Sequence, residues 1–435
     1  MSVSTNRMGK YEIFLVTVKG EKARVGSIGE LVSVMGPNNV NVLDIGQSEI
    51  HDMLSLGMLV EVDREFTQRL FKDLVFAAHE MSITVGFVPV SNPDYERWVT
   101  NQLKARFVVT VLARRLDARY LAQVTKVIAD NGLAIDSVTR LSARPSLRHS
   151  QYLNPRSALE LSVSGRPKNV DQMREELFKI SMTEPIDVAV QEDDIFRRNR
   201  RLILFDMDST LIQCEVIDEL AKHAGVGAQV AEITEAAMQG KIDFKESFRQ
   251  RMRLLKGMDE SVLQGIADNL PVTEGAPRLI SNLKRLGYKV GILSGGFTYF
   301  ARRLQKEMGI DYVHANELDF KDGKLTGEVK GEIVDAQRKA ELLKSIAAEM
   351  GLSLKQVIAV GDGANDIPML KLAGLGVAFH AKPKVREQAK VAVSTLGLDG
   401  ILYLIGIRDQ QAEATWSLGL PEVGFPLEEM KPAKL

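Results

Sequence analysis

The sequence predicts an α/β protein in which a doubly wound parallel sheet forms the second half and two α+β repeats precede it. Two observations carry this. Before residue 195 the order β-α-β-β-α-β runs through twice, and after Arg201 short continuous apolar runs alternate singly with helical stretches. The 435 residues, 45% hydrophobic and 26% charged, hold apolar material for two or three packed cores, since domains commonly run to about 100–200 residues.

The first repeat opens at Tyr11 with YEIFLVTVKG, a strand-like run, followed by an amphipathic stretch ending near Met35. NVLDIGQSEI, MLSLGMLVEV, the helical FTQRLFKDLVFAAHEM and ITVGFVPV complete it. The second begins at Arg106 with RFVVTVLAR. ARYLAQVTKVIADNG then reads as a helix stopped by Gly132, before AIDSVTRLSA, ALELSVSG, a helix around VDQMREELFKI and DVAVQED. Two ferredoxin-like units are therefore expected, at residues 10–95 and 104–193. Asn92-Pro93 marks a turn between them, and the basic run RRNRR from Arg197 to Arg201 reads as a solvated linker or, alternatively, a local anion site.

Beyond the linker, LILFD, KVGILSG, YVHANEL and VIAVGDG are apolar enough for strands buried on both faces of a parallel, Rossmann-like sheet. DFKDGKLTGEV, centred on Asp322-Gly323, predicts a two-residue hairpin. Roughly 80 helix-forming residues separate the first two strands, far more than a crossover needs. They predict a helical cap at 213–274 on a core of 200–212 and 275–406, and the polar, proline-bearing 407–435 predicts an irregular tail.

A formal net charge of -1 supplies no global positive field, which excludes general nucleic-acid or anionic-membrane binding. Cys214 is the only cysteine, so neither an intrachain disulfide nor a cysteine-built zinc site is open to the chain, and a reducing cytoplasm is the expected location. Met1 to Lys10 lacks the apolar core of a signal peptide, and no run of about 18 apolar residues occurs. A soluble protein is expected.

Ligands of open α/β sheets bind at the carboxyl ends of the strands, so the residues just after each apolar run come first. Asp206-Met207-Asp208-Ser209-Thr210 puts two carboxylates on one side of an extended segment. One can attack phosphorus, and the other can protonate the departing alkoxide and later take a proton from water. Both would repel an anionic substrate, so positive charge is required, and Mg2+ suits such oxygen donors. Asp362 in VIAVGDGAND can supply a further carboxylate, with Asn365 and Asp366 on the same turn to orient the ligands. Ser294-Gly295-Gly296 offers a hydroxyl and open backbone N–H groups for phosphate oxygens. Lys339 is the further cation best placed by chain order, although spacing alone does not decide it. Each aspartate taken singly would equally serve as a helix N-cap. Four such stations at successive strand ends point jointly to phosphoryl chemistry.

FDMDST, ILSGG, Lys339 and GDGAND together resemble the four motifs of the haloacid dehalogenase superfamily, and residues 202 to about 405 resemble its phosphoserine-hydrolysing branch throughout. The resemblance implies Asp206 as nucleophile and Asp208 as general acid/base. It implies Mg2+ held by Asp206, the Asp208 carbonyl and Asp362, and phosphate bound by Ser294, Gly295 and Lys339 with Asn365 close by. In the cap it implies Glu215 and Arg251 for the amino and carboxylate groups of phosphoserine, with Met238 and Phe244 closing over the ligand. It also implies a place at the end of serine biosynthesis. Cys214 and the histidines have no catalytic task in such a route. The residues themselves leave open phosphothreonine, another small phosphomonoester or a phosphoprotein loop as substrate, and a regulatory protein with a relic phosphatase half.

The front repeats resemble ACT domains, which implies an amino acid such as serine as effector and a homodimer through this half. Two departures favour a structural role, the pairing of sheets between subunits. Lys22, Arg24 and Val25 in GEKARVGS stand where many ligand-binding copies carry an acid and Pro-Gly, and Ala113 in LARRLDA stands where glycine is frequent.

Overall fold

In a computed structural model the described residues are 10–21, 28–101, 105–144, 155–239, 241–389 and 391–414. Lys22, Arg24 and Val25 lie outside them. The chain divides into two units, 1–104 and 105–435.

The first unit is built from the first repeat. Strands β1 (Tyr11–Glu21), β2 (Asn41–Ile50), β3 (Met53–Asp63) and β4 (Thr84–Val90) form an antiparallel sheet in the order β2-β3-β1-β4. The helix Arg64–Glu80 follows the apolar period of its sequence and buries Leu70, Leu74 and Ala78 against Val16, Val18, Met58 and Val60. Where a turn is expected at Asn92-Pro93, the chain instead forms a helix, Asn92–Asn101. Ser91 Oγ accepts the Asp94 N–H at 3.2 Å, and a proline in the first turn costs no intrahelical bond, so the same residues that can turn a chain can also open a helix.

In the second unit, β5 (Arg106–Ala113), β6 (Leu133–Arg140), β7 (Ser157–Gly165) and β8 (Ile186–Glu192) repeat the first sheet as β6-β7-β5-β8. The seven-stranded sheet contains β9 (Leu202–Phe205), β10 (Lys289–Phe297), β11 (Tyr312–Lys321), β12 (Lys324–Lys330), β13 (Val357–Gly361), β14 (Leu375–Phe379) and β15 (Val391–Val393), in the order β12-β11-β10-β9-β13-β14-β15. Only the β11–β12 pair is antiparallel. Its turn has Asp322 and Gly323 at φ of 52° and 74°, the left-handed pair that a two-residue hairpin needs. Strands β14 and β15 are not among the strands expected from the sequence. Alternate residues of β9 serve opposite faces: Ile203 and Phe205 pack with the helices Ala276–Arg285 and Thr298–Met308, Leu202 and Leu204 with Ala336–Glu349 and Ile367–Leu372. Between β9 and β10 stand the helices Val216–His223, Gly227–Met238, Phe244–Leu254 and Ser261–Ala267, the expected helical insertion.

The linker is solvated only in part: Arg198, Asn199 and Arg201 are exposed, whereas the other two arginines are sealed. Arg197 is 0% and Arg200 5% exposed. Arg197 pairs with Glu160 of β7, and Arg200 donates to Gln191 Oε1 at 3.0 Å and to the Arg197 carbonyl at 2.8 Å. Glu160 and Gln191 come from a strand 37 residues away and from β8, so a local reading of RRNRR cannot see them. The second repeat is thereby fused to the larger sheet. Leu112, Leu141, Ala158 and Ala189 share one apolar core with Ile401, Leu402 and Tyr403, and Asp187 accepts the Ser394 and Thr395 N–H groups at 2.7 and 2.8 Å.

The start of the expected irregular tail is also ordered, since Asp409–Ala414 is helical; residues beyond 414 lie outside the described ones. Asp409 is buried and accepts from the Ala143 N–H (2.7 Å), Arg278 (2.8 Å) and Tyr403 (2.8 Å). Burial alone would raise its carboxyl, but these three donors outweigh burial and hold it below the ordinary value of 3.8. A depressed folded-state value stabilises the fold above the unfolded pKa, and the gain is lost as pH falls through the folded one. Asp409→Asn should therefore lower the unfolding free energy by about 1–3 kcal/mol near neutral pH. In urea melts from about pH 7 down to about pH 3 the difference from wild type should shrink at the acid end; a constant difference would exclude the carboxylate charge as its source.

Candidate active site

Parallel pairing sets the site. Phe205 of β9 is level with Ile292 of β10 on one side and Val360 of β13 on the other, and the Asp206 N–H continues the ladder to the Val360 carbonyl at 2.9 Å. Asp206 and Asp362, directly after β9 and β13, and Ser294, two residues past Ile292 in β10, so emerge on one edge of the sheet. The chain order changes direction between β9 and β13, where open α/β sheets form their crevice.

Lys339 lies in the first turns of the helix Ala336–Glu349, which Asp335 caps by accepting the Arg338 N–H at 2.8 Å. Its side chain is 0% exposed, and its Nζ stands 2.7 Å from Asp206 Oδ2 and 2.7 Å from Asp366 Oδ1. Burial would discharge this amine, but the two carboxylates outweigh burial and hold it charged. Asp206 Oδ1 also accepts the Met207 N–H at 2.7 Å, which fixes its carboxylate plane.

Carboxylate oxygens of Asp206, Asp362 and Asp366 lie within 4.8 Å of one another. Burial, and next the charge of Asp206, push Asp362 up to about 7, while Thr210 Oγ1 donates to it at 3.1 Å. Asp208 is raised well above the ordinary carboxyl range by burial first and by Glu215 and Asp206 next. The loop Ser294-Gly295-Gly296 passes directly over it, and a Cβ at Gly296 would run into the Asp208 carboxylate. The buried Ser294 Oγ accepts the Gly296 N–H at 2.9 Å, which leaves its own proton to donate.

From the insertion, Glu215 accepts from Ser209 Oγ at 2.7 Å, and Arg251 lies close enough to Asp218, Glu215 and Asp208 to feel their charges. The Phe244 ring faces Gly295 at 3.3 Å from where a Cβ would stand and stacks on Phe248. Asn365 sits in the single turn Ala364–Asp366 with its Oδ1 against Gly363. The side chain of Met238 lies outside the described residues. Cys214 is half-buried, its thiol pushed up to about 11 by burial and then by Asp208, which makes it a poor nucleophile.

Two participants, Ser209 and Thr210, escaped the sequence, while a third, Asp366, was expected at the site. Asp366, expected to orient ligands, is the second partner of Lys339, and Thr210 and Ser209 hold Asp362 and Glu215. All three lie inside the motifs already quoted, so proximity to the candidate aspartates was the signal available.

Such a set can bind a phosphoryl dianion once a cation offsets its carboxylates. The haloacid dehalogenase-like hydrolase family matches residues 200–374, and the ACT domain family matches 12–88 and again 105–191. A phosphoserine phosphatase of Streptomyces coelicolor is 39% identical over 417 residues, covering 96% of this chain and 97% of its own. One of Mycobacterium tuberculosis is 38% identical, covering 92% and 94%. Among solved structures, a probable phosphoserine phosphatase of Vibrio cholerae is 34% identical with a TM-score of 0.54, covering 72% of this chain and 90% of its own.

Lys339→Met would strand Asp206 and Asp366 in the interior without their shared counter-charge. The unfolding free energy should fall by about 3–5 kcal/mol at neutral pH. Stranded carboxylates have raised folded-state pKa values, so this loss should shrink as pH falls and they take up protons. Denaturant melts at two pH values measure it, and a loss below about 1 kcal/mol would contradict the buried ion triad.

Proposed function

Because this chain belongs to the phosphoserine phosphatases of the haloacid dehalogenase superfamily, and is thus a phosphoric monoester hydrolase carrying two ACT domains, we propose that it releases phosphate from O-phospho-L-serine through an aspartyl-phosphate on Asp206. The observation that carries the mechanism is the placement of Asp206 against Lys339 and beside Asp362 at one sheet edge.

In the first half-reaction a carboxylate oxygen of Asp206 attacks phosphorus, the bond from phosphorus to the serine oxygen breaks, and Asp208 gives that oxygen its proton. The raised pKa of Asp208 is suited to this. In the second, Asp208 takes a proton from water as the water attacks phosphorus, and the bond to Asp206 breaks to free phosphate. Ser294 Oγ–H, the Gly295 N–H and the Lys339 ammonium hold the phosphoryl oxygens, with Asn365 at the margin.

The crowded oxygen donors fit a hard divalent cation, and Asp206, Asp362 and the backbone carbonyl of Asp208 would hold Mg2+. When bound it supplies neutralising charge for the phosphoryl oxygens. Glu215 and Arg251 take the amino and carboxylate groups of the substrate, the latter through the two-pronged fork of the guanidinium, and Phe244 and Met238 exclude water.

The reaction is read as the last step of serine biosynthesis in the cytoplasm. One cysteine, and the lack of any helix among the described residues long and apolar enough to cross a membrane, are consistent with that location. The ACT domains are proposed to take an amino acid as effector and to join two subunits. Val88, 51% exposed on the face of the first sheet turned away from its helices, supports such a pairing.

Purified protein should release phosphate from L-phosphoserine only with Mg2+ present, and chelation should stop release until the metal is restored. Asp206→Asn should lower turnover by at least about 1,000-fold. Arg251→Ala should raise KM for phosphoserine about tenfold or more; unchanged kinetics in that variant would remove the amino-acid head from the cap.

A further inference from the structure

The helical insertion leaves and rejoins the sheet through two segments that run antiparallel side by side. Ile212 bridges Val272, the Gln213 N–H donates to the Pro271 carbonyl at 2.8 Å, and the Thr273 N–H donates to the Leu211 carbonyl at 3.0 Å. Directly after this pairing comes Glu274. Arg114 Nη1 and Nη2 donate to its two carboxylate oxygens at 2.9 and 2.7 Å, while its carbonyl accepts the Leu398 N–H at 2.8 Å.

Arg114 belongs neither to the insertion nor to the large sheet. It follows β5, an inner strand of the second repeat, whose position is fixed by the shared apolar core and by the buried pairs of Arg197 and Asp187. A second arm from the same repeat ends close by, where Arg156 donates to Asp399 at 2.6 Å and meets Arg278 of the core, itself 2.8 Å from the same oxygen. The Arg114–Glu274 pair is about one-third exposed, and such pairs add little to global stability. Its geometry is nevertheless the directional one, two parallel hydrogen bonds between planar groups.

The groups read as substrate-selecting, Glu215 and Arg251, ride on the insertion, while Asp206, Ser294 and Lys339 stand on the sheet. The hinge fixes the spacing of these two sets, and small displacements there are felt strongly in catalysis. We propose that Arg114 is a positioning residue for substrate recognition: by clamping Glu274 it sets the angle at which the insertion meets the core, which makes the second ACT repeat a working part of the phosphatase. This rests on the assignment of phosphoserine to the cap and goes beyond it by naming what holds the cap in register.

The test uses the full chain and two ligands that report on different halves of the site. Phosphoserine spans core and insertion, whereas inorganic phosphate, as a competitive inhibitor, reads the core alone. Arg114→Ala and Glu274→Ala should each raise KM for phosphoserine about fivefold, and the double variant should be no worse than either. Arg114→Lys, which keeps the charge without the fork, should fall between wild type and Arg114→Ala. The inhibition constant of phosphate should stay within about twofold of wild type throughout, a split that general damage to the fold would not give. Unmoved KM values in both single variants, multiplicative effects in the double, or a parallel rise in the phosphate constant would each overturn the proposal. Wild-type protein that fails to hydrolyse phosphoserine would instead overturn the substrate reading beneath it.

Discussion

One ammonium group, sealed from water between two carboxylates, is the interaction around which the catalytic half is organised. Lys339 ties Asp206, at the end of the central strand, to Asp366, in the turn after β13. A buried charge is tolerable only when paired, so these three side chains specify one another's positions within hydrogen-bond reach. The arrangement is short of positive charge. Asp206, Asp208, Asp362 and Asp366 gather around a single lysine, and burial together with this imbalance pushes carboxyls upward, Asp362 to about 7 and Asp208 well above its ordinary value. A bound cation would relieve this imbalance for Asp206 and Asp362, and a retained proton would relieve it for Asp208.

Parallel pairing turns that local electrostatics into a site. With Phe205, Ile292 and Val360 level across three strands, the segments that follow them cannot diverge, and a glycine at 296 lets one of them lie directly on Asp208. The sheet supplies alignment, the helix Ala336–Glu349 supplies the cation, and the insertion carries the groups proposed to distinguish one phosphate ester from another. Precision is concentrated in the elements buried on both faces, and the proposed selection in the element that joins the core through two short segments.

The two front repeats show how one topology takes two fates. Both have the strand order of a ferredoxin-like sheet, yet in the second Leu112, Ala158 and Ala189 are absorbed into the core of the phosphatase, whereas in the first the face turned away from the helices leaves Val88 open. Burial of that face in the second repeat is sealed by polar contacts, among them Arg197 with Glu160 and Asp187 with the N–H groups of Ser394 and Thr395. Polar groups at a buried junction must meet specific partners, and that requirement ties the repeat to a single orientation.

What the sequence determined by itself was everything governed by near neighbours. Apolar runs of four or five residues announced β9, β10 and β13, the Asp322-Gly323 turn announced its hairpin, and the residues directly after each strand announced phosphoryl chemistry. Pro93 opens a helix rather than a turn through local contacts, but the other failures share a cause. Arg197 and Arg200 are core residues rather than solvated linker, and Asp409 anchors a helix where a tail was expected. Each outcome depends on a partner or a packing surface that chain order does not reveal, as when Glu160 reaches Arg197 across 37 positions. Periodicity records which face of an element is apolar, but whether a charge is solvated or sealed depends on what the fold brings against it, and only the tertiary structure decided that.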